Sequence, residues 1–105
     1  MVAVTVTTTP IKIVESNRHR TSLSINLSDG SDGIFLLDNM DTNSKNQELT
    51  GGQTKVYNIS DAVVGVNIDG SLRYEGQRKV TQAHYAVAST GSQTVYIEQD
   101  WGGSQ

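Results

Sequence analysis

Apolar residues recur at every second position through almost the whole chain, while the i, i+3, i+4 spacing of a helix is hard to find in any window of useful length. A period of two puts alternate side chains on opposite faces of an extended backbone, so the pattern points to an all-β protein. The clearest instance is Ser22–Ser28: Leu23, Ile25 and Leu27 point one way, and Ser22, Ser24, Asn26 and Ser28 the other. Val2, Val4 and Val6 alternate with Ala3, Thr5 and Thr7 until Pro10, which has no N–H to give a ladder, ends that run; Ile11 and Ile13 begin the next. Ile34-Phe35-Leu36-Leu37 is a continuous apolar run of strand length, the form expected of a strand covered on both sides, and it marks the expected centre of the core.

Turn chemistry divides these runs. Asp29-Gly30-Ser31-Asp32-Gly33 supplies positions for positive φ, so the chain is expected to turn back there. Strands are expected over 56–59 and 62–68, and Asp69-Gly70 is the strongest hairpin signal, predicting that Leu72 and Tyr74 return alongside Val66 and Ile68. Val80–Ala88 reads as a strand with Ala83, Tyr85 and Val87 against His84, Ala86 and Ala88, and with His84 facing water. Residues 38–53 are polar and read as the long loop of the domain, or else as a connector with a short strand at 47–49. Val95 and Ile97 close the pattern. About eight short strands with regular turn signals predict a single antiparallel β-sandwich, jelly-roll-like or immunoglobulin-like. Residues 1–10 are expected to form an N-terminal strand or arm, 11–98 the sandwich, and 99–105 a C-terminal tail.

At 105 residues the chain is one domain or less, which excludes a two-domain enzyme. With no cysteine, disulfides, thiolate nucleophiles and zinc-thiolate sites are excluded, and the fold must hold by packing alone. Ser, Thr, Asn and Gln make up 36 residues against 18% charged, so the surface is polar rather than ionic. A net charge of −3 gives no chain-wide attraction to phosphate backbones or anionic lipids, and neither nucleic acid nor membrane is expected as a partner. The start lacks the pattern of a secretory signal, and no stretch approaches the ~18 apolar residues of a membrane span.

Catalytic and metal-binding spacings are missing. His19 and His84 have no ligand partner at i, i+2 or i, i+4, and Asp29, Asp32, Asp38 and Asp41 fail the spacing of a calcium loop, so turn chemistry accounts for the aspartates. There is no Gly-x-Ser-x-Gly elbow and no phosphate-binding glycine loop. The expectation is therefore a non-enzyme with no cofactor, no metal and no catalytic residues. Basic residues at Lys12, Arg18, Arg20, Arg73, Arg78 and Lys79 are diluted by Glu15 and Glu75 and read as a salt-bridged solvent face. Trp101, between Asp100 and Gly102, must pack back, meet a partner or bind something; with Tyr74 it forms a candidate ligand or partner contact.

One pattern carries more. Glu15-Ser16-Asn17-Arg18-His19-Arg20-Thr21-Ser22-Leu23-Ser24-Ile25-Asn26-Leu27, followed by Ile34-Phe35-Leu36, a polar loop with Gly51-Gly52, and a closing Ala86-Val87-Ala88-Ser89-Thr90-Gly91 with Val95-Tyr96-Ile97-Glu98, resembles small tailed-phage virion proteins of the capsid-decoration, head-fibre or tail-associated kind. Asn17, Arg20, Leu23 and Ile25 fall on the early part of that family's pattern and Val95, Ile97 and Glu98 on the last; the glycine step lacks the family's proline, and residues 60–82 carry an extra hairpin that does not align. By their own chemistry, Asn17 can bond its turn backbone, Arg20 can bond carbonyls at the strand start, and Leu23 with Ile25 can bury a face. The resemblance implies a virion structural protein, assembled in the host cytoplasm, whose partners are copies of itself, as a trimer by preference, and other virion proteins such as the major capsid protein. Val2, Val4 and Val6 would then be a candidate assembly arm, adding a strand to a neighbour. The rival expectation is a carbohydrate- or receptor-binding module.

Overall fold

A computed structural model describes residues 1–58, 63–66, 68–70, 72–74 and 77–101, of which 63–66, 72–74 and 77–78 by backbone alone. Its strands are β1 (Val2–Val6), β2 (Ile11–Val14), β3 (Ser22–Leu27), β4 (Ile34–Leu37), β5 (Lys45–Leu49), β6 (Thr54–Asn58), β7 (Val63–Val66), β8 (Leu72–Tyr74), β9 (His84–Ala88) and β10 (Gln93–Asp100). A 3-10 turn at Thr42–Ser44 and one helical turn, α1 (Gln77–Thr81), complete the described elements.

Two four-stranded antiparallel sheets, ordered β1-β10-β3-β6 and β2-β9-β4-β5, face each other, and β7 and β8 form a separate hairpin. The pairings are nested: β1 with β10, β2 with β9, β3 with β6 and β4 with β5. This is a long hairpin wrapped into a sandwich, the jelly-roll connection, and the four-plus-four arrangement differs from the four-plus-three of an immunoglobulin constant domain. The β7–β8 hairpin and α1 are an excursion between the sixth and seventh sandwich strands, at the place where the resemblance does not align.

The period-two pattern becomes the core directly. Leu23, Ile25 and Leu27 from β3 and Val95 and Ile97 from β10 meet Ile34 and Leu36 from β4 and Ala86 and Ala88 from β9. Fully burying each large aliphatic chain stabilises the fold by ~1.5–3 kcal/mol, and Ile25→Ala would cost about 2–5 kcal/mol. β4 is central in its sheet, between β9 and β5, but Phe35 lies half-buried on the outer face beneath the Lys45 ammonium, 4.3 Å from the ring centroid. Gly51 is needed where its loop crosses the Asp29–Ser31 turn: a Cβ there would stand 2.7 Å from the Ser31 carbonyl oxygen.

Several sequence-level boundaries move. The Asp29–Gly33 turn carries the chain from one sheet to the other, since β3 pairs with β10 and β6 while β4 pairs with β9 and β5. Residues 38–53 are a connector holding the 3-10 turn and β5, a longer strand than 47–49. Asp69-Gly70 makes the hairpin, with Gly70 at φ 89° and Leu72 opposite Val66, but a register shift sets Tyr74 opposite Val63, and Ile68 sits exposed in the turn. Val80 and Thr81 belong to α1, so the strand expected from Val80 starts at His84. The strand expected over 62–68 is described as Val63–Val66; Ile59, Ala62 and Asn67 lie outside the described residues. β1 is an integral strand of the sandwich, and β10 runs to Asp100, past the expected start of the tail.

Candidate functional site

Two of the three buried polar side chains among the described residues, Arg20 and His84, lie at one corner of the sandwich, where β2 turns into β3 and α1 leads into β9. Asn17 organises the turn as the sequence suggested: its side-chain Oδ1 accepts from the His19 amide at 2.9 Å, and its own amide donates to the Thr81 carbonyl at 2.7 Å. Asn, with a short side chain that mimics a backbone carbonyl, suits this position.

Arg20 then enters the interior with no solvent exposure. Its Nε donates to the Val80 carbonyl at 2.6 Å, Nη1 to the Glu15 carbonyl and the Gln99 Oε1, both at 2.8 Å, and Nη2 to the Gln82 carbonyl at 2.7 Å. The carbonyls come from the end of β2 and from the α1–β9 segment rather than from the start of β3. Burial lowers the guanidinium pKa from its ordinary value, yet an arginine stays protonated in proteins, and its planar fork can serve acceptors from three chain segments at once. The charge is solvated by carbonyl dipoles rather than by a carboxylate, and it fastens the excursion to the sandwich.

His84 is a correction to the sequence reading: it faces the interior with no solvent exposure instead of facing water. It shares a strand face with Ala86 and Ala88, both buried, and that parity with two small residues was the available signal. Its Nε2–H donates to the Lys79 carbonyl at 2.5 Å, its ring stacks on Tyr57 with centroids 4.9 Å apart, and Nδ1 has no partner among the described residues. Burial holds the imidazole pKa below its ordinary value, and the Arg20 and Lys79 charges push the same way; the Lys79 carbonyl bond and the Asp38 charge oppose them. Burial raises the Tyr57 phenol, with Asp38 adding to the shift. Just outside, Asp38 accepts from Lys79 Nζ at 3.0 Å and from Asn46 Nδ2 at 2.7 Å, and the lysine bond leads the causes that lower its pKa.

Chemically, this corner is a polar network in which the Arg20 donors are bonded and the His84 Nδ1 is not. Among the described residues no hydroxyl nucleophile is bonded to His84, and the Arg20 and His84 side chains have no exposed surface. The described aspartates serve turns and strand ends: Asp41 caps the 3-10 turn through the Asn43 amide, and Asp32 accepts from Thr90. Among the described residues, no group of three or more His, Cys, Asp and Glu side chains is placed to hold a metal ion.

Two surface features remain. A shallow polar depression of about 370 Å³, lined by Ser22, Ser24, Glu98, Gln99 and Asp100, lies along β3 and the end of β10. Trp101 follows it directly, half-exposed, its amide donating to the Asp100 carboxylate at 2.9 Å. The side chain of Tyr74 lies outside the described residues, and with it the expected contact shared with Trp101. The second feature is β1, where Val6 is buried and Val4 half-buried but Val2 is exposed. Its inner edge is occupied by β10 within the same sheet, which leaves only the outer edge for a neighbour. Asn17, Arg20, Leu23 and Ile25 do come together, in the turn, the clamp and the core below it. Comparison with family models, with curated proteins and with solved structures gave no match for this chain.

Proposed function

We propose that this chain is a non-enzymatic structural protein of a phage virion, decorating a capsid or forming part of a fibre or tail by symmetric self-association. The observation that supports this reading is the use made of the residues carrying the resemblance: Asn17 shapes the corner turn, Arg20 clamps it, and Leu23, Ile25, Val95 and Ile97 fill the core. The pattern is thus a signature of fabric rather than of a reaction centre, as suits a protein whose task is to be a stable repeated unit. The jelly roll is an architecture that viral capsid domains use, and lectins share it, so the fold by itself does not choose between them. The experiment is co-sedimentation of the purified protein with phage capsids and tails lacking it. Saturable retention at a fixed number of copies per particle is expected, and no retention on either would remove the proposal.

A second reading, a carbohydrate-binding module, is favoured by the depression along β3 and β10, lined by two hydroxyls and two carboxylates, with Trp101 the next residue after Asp100 at its rim. A glycan array read with the parent and Trp101→Ala tests it: a signal lost in the variant supports it, and a blank array removes it.

A further inference from the structure

The four sandwich edges are not equally protected. β2 has four residues, follows Pro10, carries Lys12 and breaks register between Lys12 and Val14. β5 carries Lys45 and Glu48, with a register shift opposite Leu36 and Leu37. β6 carries Lys55 in its second position. Lysines, prolines and bulges are the devices that keep an open edge from pairing with another chain. β1, Val-Ala-Val-Thr-Val, has none of them: it carries no charge, and it pairs with β10 in unbroken register from Val2↔Ile97 to Val6↔Gln93. Among the described residues nothing bonds its outer side, and Met1 and Val2 are 82% and 57% exposed.

We infer that the outer edge of β1 pairs antiparallel with β1 of a second copy about a two-fold axis, joining two four-stranded sheets into one of eight. The inference rests on the self-association proposed above and names its surface. A second copy is the occupant because the edge is complementary to itself. Directly opposed residues in an antiparallel pair lie on the same face, so an axis through Val4 sets Val2 opposite Val6 of the second copy and keeps every valine over the core side. Ala3 then meets Thr5, small against small, on the solvent side. A chain with net charge −3 needs an uncharged seam to approach its own copy, and of the four sandwich edges only β1 is uncharged. An isologous contact of this kind closes at two, giving a dimer or an even-numbered assembly. Five residues of edge make a small contact, so the dimer is reversible, and the repetition of copies on a particle supplies the avidity.

Sedimentation velocity from about 10 µM to about 1 mM, the range in which a small interface associates, tests this on the full chain. The parent is expected to shift from monomer to dimer, and Ala3→Lys/Thr5→Lys, both exposed and pointing away from the core, to weaken association at least tenfold while keeping the parent's melting temperature within a few degrees. Hydrogen exchange read at the two ends of that range should protect β1 amides in the concentrated parent and not in the variant. A parent monomeric throughout, or a variant that associates like the parent, overturns the inference. If particles retain the protein but it stays monomeric throughout the concentration range, edge pairing is wrong and the virion reading stands; if it is not retained but the parent dimerises through β1, the reverse holds.

Discussion

Arg20→Met is the most informative single perturbation of this fold. Methionine keeps much of the stem's volume and apolar contact but removes every donor, leaving the carbonyls of Glu15, Val80 and Gln82 and the Gln99 Oε1 without the bonds they accept. A buried acceptor left unsatisfied costs ~1–3 kcal/mol, so four would cost about 4–12 kcal/mol if water reached none of them, and less where it reaches the three part-buried ones. Relief of the desolvated guanidinium offsets several kcal/mol of this, and a net loss of ~3–5 kcal/mol is expected. That is a large part of the ~5–15 kcal/mol total stability of an ordinary domain. Equilibrium urea unfolding at neutral pH measures it, and with m near ~1–2 kcal/mol/M the midpoint should fall by roughly 1.5–5 M. Arg20→Lys should recover less than half of the loss, because one ammonium on a flexible stem cannot span three chain segments. In native-state hydrogen exchange the Asn17 amide, bonded to Thr81 across the same corner, should lose protection before the β3 amides do. An Arg20→Met variant within about 1 kcal/mol of the parent would refute the clamp, for it would mean that the carbonyls find other partners at no cost.

Protonation of His84 should weaken the fold in acid. Its folded pKa lies below the ordinary 6.5, so below that pH the unfolded chain binds the proton first, and stability falls as pH drops toward the folded value, by at most ~1.4 kcal/mol per pH unit. Urea midpoints at pH 7.5, 6 and 5 should show this slope in the parent and a flatter one in His84→Gln; equal slopes would remove the histidine as its source. The Tyr57 phenol is raised above 10.0, so past that pH the unfolded chain gives up its proton first and stability declines, an effect that Tyr57→Phe should abolish in alkaline melts. Gly51→Ala places a methyl 2.7 Å from the Ser31 carbonyl oxygen and should cost ~1–3 kcal/mol in the same urea assay; a neutral result would show that the two loops part freely. Lys79→Ala breaks a half-exposed pair with Asp38 and should change stability by less than about 1 kcal/mol, against the several expected of Arg20.

The sequence and the tertiary structure contributed different things. Period-two alternation is local, so it gave the β class, the buried faces of β3 and β10, and the Asp69-Gly70 hairpin without knowledge of any partner strand. Turn chemistry is local too, and Asn17 could be read as a turn residue because its side chain bonds two residues along. The nested pairing of β1 with β10 and β2 with β9 was not legible, since strand faces look alike in sequence and the choice between sandwich topologies is made by which sheets pack together. For the same reason the polar corner was hidden. Arg20 and His84 are charged or titratable residues that a local reading assigns to the surface, and they go inside only because chain segments remote in sequence bring carbonyls to meet them. The edge of β1 lies between the two: its lack of charge is written in five residues, but that it stands at the edge of a sheet, with no strand on its outer side among the described residues, was decided by the fold alone.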